Sequence, residues 1–482
     1  LIAAPSGAWL LGAAIILPVA VAALAQAVGP RAARAATILA VPPALLLQMM
    51  LARGLLRAGA PLVVADPSLG LQVRADGLAV AMMLVAALVV GAVALWSDGR
   101  HPRLFWRLLP AQWAVLNVVF VSNDLFTSYL GLELLAFAAM PLFCLDRRPE
   151  QLAAALRYLV FAAIGSALYL LGAALLLRAT GTLLLDGVAA RLATGAGVRA
   201  AAALMTAGLL AKTALFPLHA WLPAAHAGAP PAVSALHSAL VIKGSFVLLL
   251  RLWGQALLPL PAGLLPQLLA ALGVLAIVFA SAVALMQPRL KLLVAWSTVA
   301  QVGYLFLALP LLAADDGARA WTGGLLQAIS HGLSKAAMFL AAGRMAELAG
   351  DDRIDRLGGF GEAAPKEVAA FAIGGLSLMG LPPSGGFTAK WLLLTVSIDV
   401  GQWWWALPIV GGGLLTGGYV YRVLRVALGP ASGPRAGSDP AGVRRGAVAL
   451  GLASASLLPG LLPLGALGLL GIGAPGLPVT PP

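Results

Sequence analysis

Residues 208–238 read GLLAKTALFPLHAWLPAAHAGAPPAVSALHS, and this stretch decides the fold. An apolar run carries a lone Lys212 and then meets Phe216, Pro217 and His219, with further prolines at Pro223, Pro230 and Pro231. Pro217 lacks an N–H and its ring collides with the preceding turn, so a helix breaks or kinks there. A lysine beside a broken apolar helix suits the interior of a membrane bundle. There, irregular backbone lines a cavity and an ionisable group marks function. A second copy lies at residues 375–394, GLSLMGLPPSGGFTAKWLLL, where Pro382, Pro383, Gly385 and Gly386 precede Lys390. Two interrupted helices, each with a lysine, predict an internal repeat of the transporter type.

The rest of the chain supports that setting. Of its 482 residues, 61% are hydrophobic and 10% are charged. A soluble protein carries about 25% charge. The chain is therefore read as an all-α, polytopic membrane protein in the lipid bilayer, each span needing roughly 20 apolar residues. The net charge of +13 is assigned to topology and not to nucleic-acid binding, because cytoplasmic loops collect Lys and Arg. Cys144 is the single cysteine, which excludes an intrachain disulfide and a cysteine-held cluster. Residues 1–28 lack a basic leading region and read as a first span rather than a cleaved signal. No Walker loop, HExxH, CxxC or GxGxxG after a strand is present. No cofactor, no metal site and no catalysis by this chain alone are expected.

Apolar runs divide the chain into about fourteen helical spans. Those that matter most are the fifth at 124–145, the seventh at 198–217, the eighth at 232–254, the eleventh at 320–346 and the broken twelfth at 366–396. A last span, rich in Gly and Pro, is placed at 446–472. Segment 58–76 is too polar to cross and is expected as a short hairpin outside. Segment 180–197, with Asp186 and Arg191, is expected as a short interfacial helix. Loops after odd-numbered spans hold Arg31, Arg34, Arg100, Arg103, Arg147, Arg148, Arg289, Arg353, Arg356 and five arginines from Arg422 to Arg445. That bias puts these loops in the cytoplasm and both termini on the outer side.

Few ionisable residues fall inside spans. They are Glu133, Arg157, Lys212, His237, Lys243, His331, Lys335 and Lys390. His331 and Lys335 are four apart and share one helix face. A charge at the bilayer centre costs about 2.5–3.5 kcal/mol, so these groups are expected to face one another or water. Burial disfavours a charged amine and a nearby carboxylate favours it. A lysine whose partner changes can therefore take up and release a proton. Plainer readings stand beside this one. Lys243 and Lys291 lie near span ends and can snorkel to headgroups. Glu133 can belong to a structural ion pair. His219 and His226 lie in or near a loop and can be solvated, and His237 can be a packing histidine. Asp124 reads as an interfacial cap.

Five motifs then carry a family resemblance over about residues 75–427. They are NDLFTSYLGLELLAF, KTALFPLHAWLPAAHAGAPPAVSALHSALVIKGS, QPRLKLLVAWSTVAQVGY, SHGLSKAAMFL and GLPPSGGFTAKWLLL. Together they resemble the antiporter-like membrane subunits shared by respiratory complex I (NADH:quinone oxidoreductase), Mrp-type cation/proton antiporters and group 4 membrane-bound hydrogenases. The resemblance implies about fourteen transmembrane helices with two inverted five-helix repeats, in which helices 7 and 12 are the broken pair. It divides the chain into a three-helix segment at 1–103, a first repeat at 104–254, a second repeat at 255–427, and a cytoplasmic loop with a C-terminal helix at 428–482. It also implies a proton path through Glu133, Lys212, Lys243, His331, Lys335 and Lys390, with His219 and His237 as further relay candidates. Glu133–Lys212 would be the coupling ion pair and Lys390 the exit toward the outer side. The chain is not expected to be of the largest type, which carries a long lateral helix, and it has Lys390 where several shorter members have glutamate.

The expected function is a proton-translocating subunit of a larger membrane complex in the bacterial inner (cytoplasmic) membrane. Its partners would be other membrane subunits, and its cargo protons, with Na+ as a second candidate ion. Redox chemistry or ion exchange in the partners would drive it, so it would belong to a quinone reductase, a hydrogenase or a cation/proton antiporter. The alternatives are the membrane subunit of an inorganic-carbon uptake system, a stand-alone secondary transporter, or a non-pumping scaffold.

Overall fold

The computed structural model describes residues 7–66, 71–98, 101–193, 195–258, 260, 263–314, 316–431 and 440–475. Arg100 and Arg435, two of the loop arginines, lie outside these residues. Helices α1 (Gly7–Ala27) and α2 (Pro30–Ala58) pack on each other and on α4 (Arg103–Val121). Between α2 and α3 (Gly77–Trp96), strands β1 (Leu62–Asp66) and β2 (Leu71–Ala75) form the hairpin expected in 58–76, antiparallel with Leu62 opposite Ala75. Asp76 caps α3 by accepting the Ala79 N–H at 2.9 Å, where a carboxylate satisfies an orphan donor and the helix dipole. Next come α5 (Leu125–Phe143), α6 (Pro149–Thr180) and the short α7 (Leu185–Arg191), which lies where an interfacial helix was expected. Asp124 is a cap, as read from sequence, and accepts the Thr127 N–H at 2.7 Å.

The first broken element is α8 (Ala196–Thr213) followed by α9 (Trp221–Gly228). The expected limits, 198–217, are corrected on both sides of Pro217. The helix stops at Thr213, where Ala214 turns left-handed (φ 59°), and helical structure resumes to Gly228. Beyond it, α10 (Pro231–Leu236), a π turn at His237–Val241, α11 (Ile242–Arg251) and a second π turn at Leu252–Ala256 form one rod. Helices α12 (Leu264–Met286), α13 (Leu290–Phe306), α14 (Gly317–Ala349) and the short α15 (Phe360–Ala363) follow. The second break separates α16 (Pro365–Met379) from α17 (Gly385–Asp399). Gly380 is left-handed there (φ 84°), and Ser384 caps the new helix through the Phe387 N–H. Helix α18 (Ala406–Ala427) precedes α19 (Pro440–Ala455), α20 (Leu458–Leu461) and α21 (Gly468–Gly471). The last span, expected whole at 446–472, is instead bent by 111°. Pro459 and Pro463 cannot continue the ladder of α19.

Among the described residues, nine helices are long and apolar enough to cross a membrane, or ten if the bent C-terminal pair counts as one. The shortfall against fourteen has a physical reason. The two breaks cut α8, α16 and α17 short, while α14 carries Gln327, His331 and Lys335 and α18 carries Arg422 and Arg425. The interior holds both large apolar side chains such as Trp113 and Trp321 and charged ones such as Lys335, while Leu134 and Phe137 on α5 are exposed.

Close helix contact depends on glycine at two pairs. A Cβ at Gly208 of α8 would sit 2.3 Å from the Gly165 carbonyl of α6, and one at Gly303 of α13 would sit 2.3 Å from the Gly273 carbonyl of α12. Small residues let membrane helices approach this closely. Gly208→Val is therefore expected to destabilise the bundle by about 1–3 kcal/mol, as overpacking does. The amount of assembled protein and its thermal melting would report this, and an unchanged melt would contradict the packing.

Candidate functional site

Glu133 projects from α5 and Lys212 from the last turn of α8, just before the left-handed Ala214. Lys212 Nζ donates to Glu133 Oε1 at 3.3 Å, with side chains 7% and 21% exposed respectively. The two residues are 79 positions apart, and the helix break lets the lysine reach the carboxylate without a continuing turn in the way. A cavity of about 20 Å³ beside Lys212, lined by Tyr158, Trp221 and Ser245 among others, has room for about one water. Thr213 Oγ1 donates to Ser245 Oγ at 3.0 Å, which continues polar contact from α8 to α11.

Lys243 is fully buried and does not snorkel. Its Nζ donates to the Ser238 carbonyl at 2.5 Å across the π turn. A π turn inside an α-helix often marks a functional site. Ser238 Oγ pairs with Thr298 Oγ1 at 3.0 Å, and Thr298 Oγ1 donates to the Val294 carbonyl at 3.0 Å. That carbonyl also accepts Lys335 Nζ at 3.1 Å, and Lys335 donates to Ser297 Oγ as well. Two buried lysines on different helices thus each hold a backbone carbonyl, Ser238 and Val294, on either side of the Ser238–Thr298 hydroxyl pair. His237 Nε2 pairs with the Gln112 side-chain amide at 3.0 Å, and its ring lies 4.4 Å from that of Phe143. His331 sits one turn before Lys335, fully buried, within electrostatic reach of Lys243, Lys335 and Lys390.

Lys390 reaches back across the second break. Its Nζ donates to the carbonyls of Leu378 (2.7 Å) and Met379 (3.1 Å) and lies 3.9 Å from the centre of the Tyr304 ring. The last carbonyls of α16 lack intrahelical partners, and the dipole favours a cation there. Gln301 Nε2 shares the Leu378 carbonyl at 3.2 Å, and Gln327 Nε2 donates to Gln301 Oε1 at 3.1 Å. Gln327 is one turn before His331, so a polar thread runs from α14 to Lys390. An apolar crevice of about 320 Å³, lined by Phe387, Trp391 and Leu414 among others, opens beside this lysine.

Several expectations are corrected. Only Lys212 of these relay lysines has a carboxylate partner among the described residues; the others hold carbonyls and hydroxyls. His219 and His226 are not solvated, being 8% and 1% exposed. His219 packs among Phe216, Phe279 and Trp296, apart from the polar thread. His226 lies within electrostatic reach of His237, Lys291, Lys335 and Lys243. His226 is thus as buried as His331. Lys291 does not snorkel either. Its Nζ donates to the carbonyls of Ala227 (3.2 Å) and Ala229 (2.6 Å) at the end of α9.

Lys291 also borders an open vestibule of about 950 Å³, lined by Arg148, Arg157, Arg289, Glu347 and Asp352 among others. Arg289 Nε donates to both Asp352 oxygens, the nearer at 2.8 Å, and these bonds raise the guanidinium's pKa above its usual value. Sequence reasoning passed over Ser238, Thr298, Gln301 and Gln327. One signal was available: Gln327, His331 and Lys335 recur every four residues, one face of α14.

Residues 122–416 match the NADH:quinone oxidoreductase/Mrp antiporter transmembrane family. The chain is 34% identical over 416 residues to NADH-quinone oxidoreductase subunit N of Desulforudis audaxviator (strain MP104C), covering 83% of this chain and 81% of that protein. It is similar to a chain of the membrane-bound sulfane sulfur reductase, an archaeal respiratory membrane complex. That match has 25% identity and a TM-score of 0.85 over 96% of each chain. It is also similar to a chain of respiratory complex I from Thermus thermophilus, at 26% identity and a TM-score of 0.77 over 95% of this chain and 98% of that one.

Proposed function

The chain belongs to the NADH:quinone oxidoreductase/Mrp antiporter transmembrane family, and from that premise we propose that it is a proton-translocating subunit of a larger membrane complex. Other membrane subunits are its partners, and their redox chemistry or ion exchange drives it. The repeats are α4 to α11 and α12 to α18, within the boundaries 104–254 and 255–427, flanked by the segments 1–103 and 428–482. Supporting this division, the third helix of each repeat is long (32 residues in α6, 33 in α14), and the next element in each is broken beside a lysine. Counted this way, about fourteen helices cross the bacterial cytoplasmic membrane. Both termini then lie outside, with the arginine-lined vestibule facing the cytoplasm.

In this reading Glu133 and Lys212 form the coupling pair. Lys243, His237, His331 and Lys335 relay protons through the middle, and Lys390 delivers them to the far side. His219 has no step. His226 and Lys291 join the vestibule to the middle group. The carrying observation is the Ser238–Thr298 hydroxyl pair, which crosses from one half of the chain to the other between Lys243, held on the Ser238 carbonyl, and Lys335, held on the Val294 carbonyl that Thr298 shares. Thr298→Val keeps the shape and removes the bridging hydroxyl. Driven proton translocation by the purified complex in vesicles is expected to fall about fivefold, the effect of roughly 1 kcal/mol, with assembly unchanged. A wild-type rate would break the proposed crossing.

A further inference from the structure

The rod Pro231–Ala256 begins at the vestibule and ends at a second cluster of charges that the relay does not use. At about 1.5 Å per residue, Arg251 lies about 30 Å from Pro231 and about 12 Å beyond Lys243. Arg251 is 1% exposed, and its two terminal nitrogens donate to both oxygens of Asp76 at 2.8 and 3.0 Å. Nη2 also donates to the Phe120 carbonyl at 3.0 Å. Asp76, fully buried, additionally pairs with Arg74 Nε at 3.2 Å, and Arg74 continues to Asp186 at 2.9 Å. Gln255 donates to the Gly473 carbonyl at 2.9 Å, and a Cβ at Gly473 would fall 2.8 Å from that of Asp76. The cluster therefore binds the hairpin, the start of α3, the end of α11 and the C-terminal segment into one closed end.

We propose that Arg251, Asp76 and Arg74 form a fixed-charge plug at that end. A proton on Lys243 can then leave only sideways, toward Lys335. This rests on the proton path proposed above. Two properties make the cluster a barrier. Guanidinium groups stay protonated at physiological pH, so they do not accept and pass on a proton as lysine does. The two buried guanidiniums also fix positive charge at this end, Arg251 against Asp76 and Arg74 between Asp76 and the exposed Asp186. A positive charge fixed in a narrow passage excludes protons and other cations. On the Lys335 side Lys243 stands beside the rotatable Ser238 and Thr298 hydroxyls, whereas the far end offers saturated ion pairs.

The test is passive leak. The native complex, purified through this chain, is reconstituted in liposomes containing a pH dye, and a potassium diffusion potential is imposed without driving substrate. Arg251→Met is expected to raise proton flux at least about tenfold, as a barrier drop of about 1.4 kcal/mol would. The double variant Arg251→Met/Lys243→Met is expected to return to the wild-type leak. A tight Arg251→Met complex overturns the plug. So does a leak that persists in the double variant, because it bypasses Lys243 and reports damaged packing. If Arg251→Met does not assemble, Arg74→Met carries the same test, since it leaves the Arg251–Asp76 pair in place. Driven translocation by Lys243→Met alone tests the underlying path separately. A wild-type rate there defeats the path whatever the leak shows.

Discussion

Lys212→Ala abolishes driven proton translocation while the complex still assembles. The loss is expected to be at least about a hundredfold, or about 2.7 kcal/mol on the barrier. The lysine is the one relay amine paired with a carboxylate among the described residues, at 3.3 Å from Glu133. It also lies beside the small cavity that leads toward Ser245. Assembly survives because the group left behind is Glu133, which is 21% exposed and can remain solvated. Alanine, for its part, is the best helix former for the end of α8. Lys212→Arg sharpens the test: it keeps the charge and the ion pair but does not release a proton, so it is expected to fail as alanine does. Glu133→Gln is expected to act more mildly, weakening coupling without removing the amine. Wild-type pumping by an assembled Lys212→Ala complex would end the relay reading, and rescue by arginine would reduce the pair to a structural one.

The two breaks were legible because proline and glycine punctuate a helix in any context, and a lysine in an apolar run has few benign explanations. The partnership of Glu133 with Lys212 was legible only as what the family resemblance implies, because residue type shows a carboxylate mid-span but not which lysine it meets. The partners of Lys243, Lys335 and Lys390 were not. They are backbone carbonyls at Ser238, Val294 and Leu378, and every residue has one, so residue type cannot flag them. The π turn makes the Ser238 carbonyl available and the helix end that of Leu378, while the Val294 carbonyl lies inside α13 and is reached only because α14 packs against it. His226 and Lys291 were misjudged for the opposite reason. A segment with three prolines reads as a wet loop, but α9 packs against α6 and α13 and takes the histidine inside. Arg251 was overlooked because it stands at the end of a span, where an arginine ordinarily reaches water. Its bond to Asp76 spans 175 positions.

Lys335→Met is expected to move function and stability in opposite directions. Lys335 is fully buried, and its partners are the Val294 carbonyl and Ser297 Oγ, with no carboxylate among the described residues. An ammonium held this way carries a desolvation penalty that neutral partners offset only in part. Methionine has similar length, fills the same space and carries no such penalty. Replacing buried charge by a packed apolar side chain is often neutral or stabilising by about 1–4 kcal/mol. The groups left behind lose little, since the Val294 carbonyl still accepts from Thr298 and from Ser297. The complex should therefore melt at the same temperature or higher. Translocation should fall at least about tenfold, because no amine then stands beyond the Ser238–Thr298 hydroxyl pair to receive the proton. A drop in both melting temperature and translocation would make Lys335 a structural residue. An unchanged translocation rate would mean that protons cross between the two halves somewhere other than through Ser238 and Thr298.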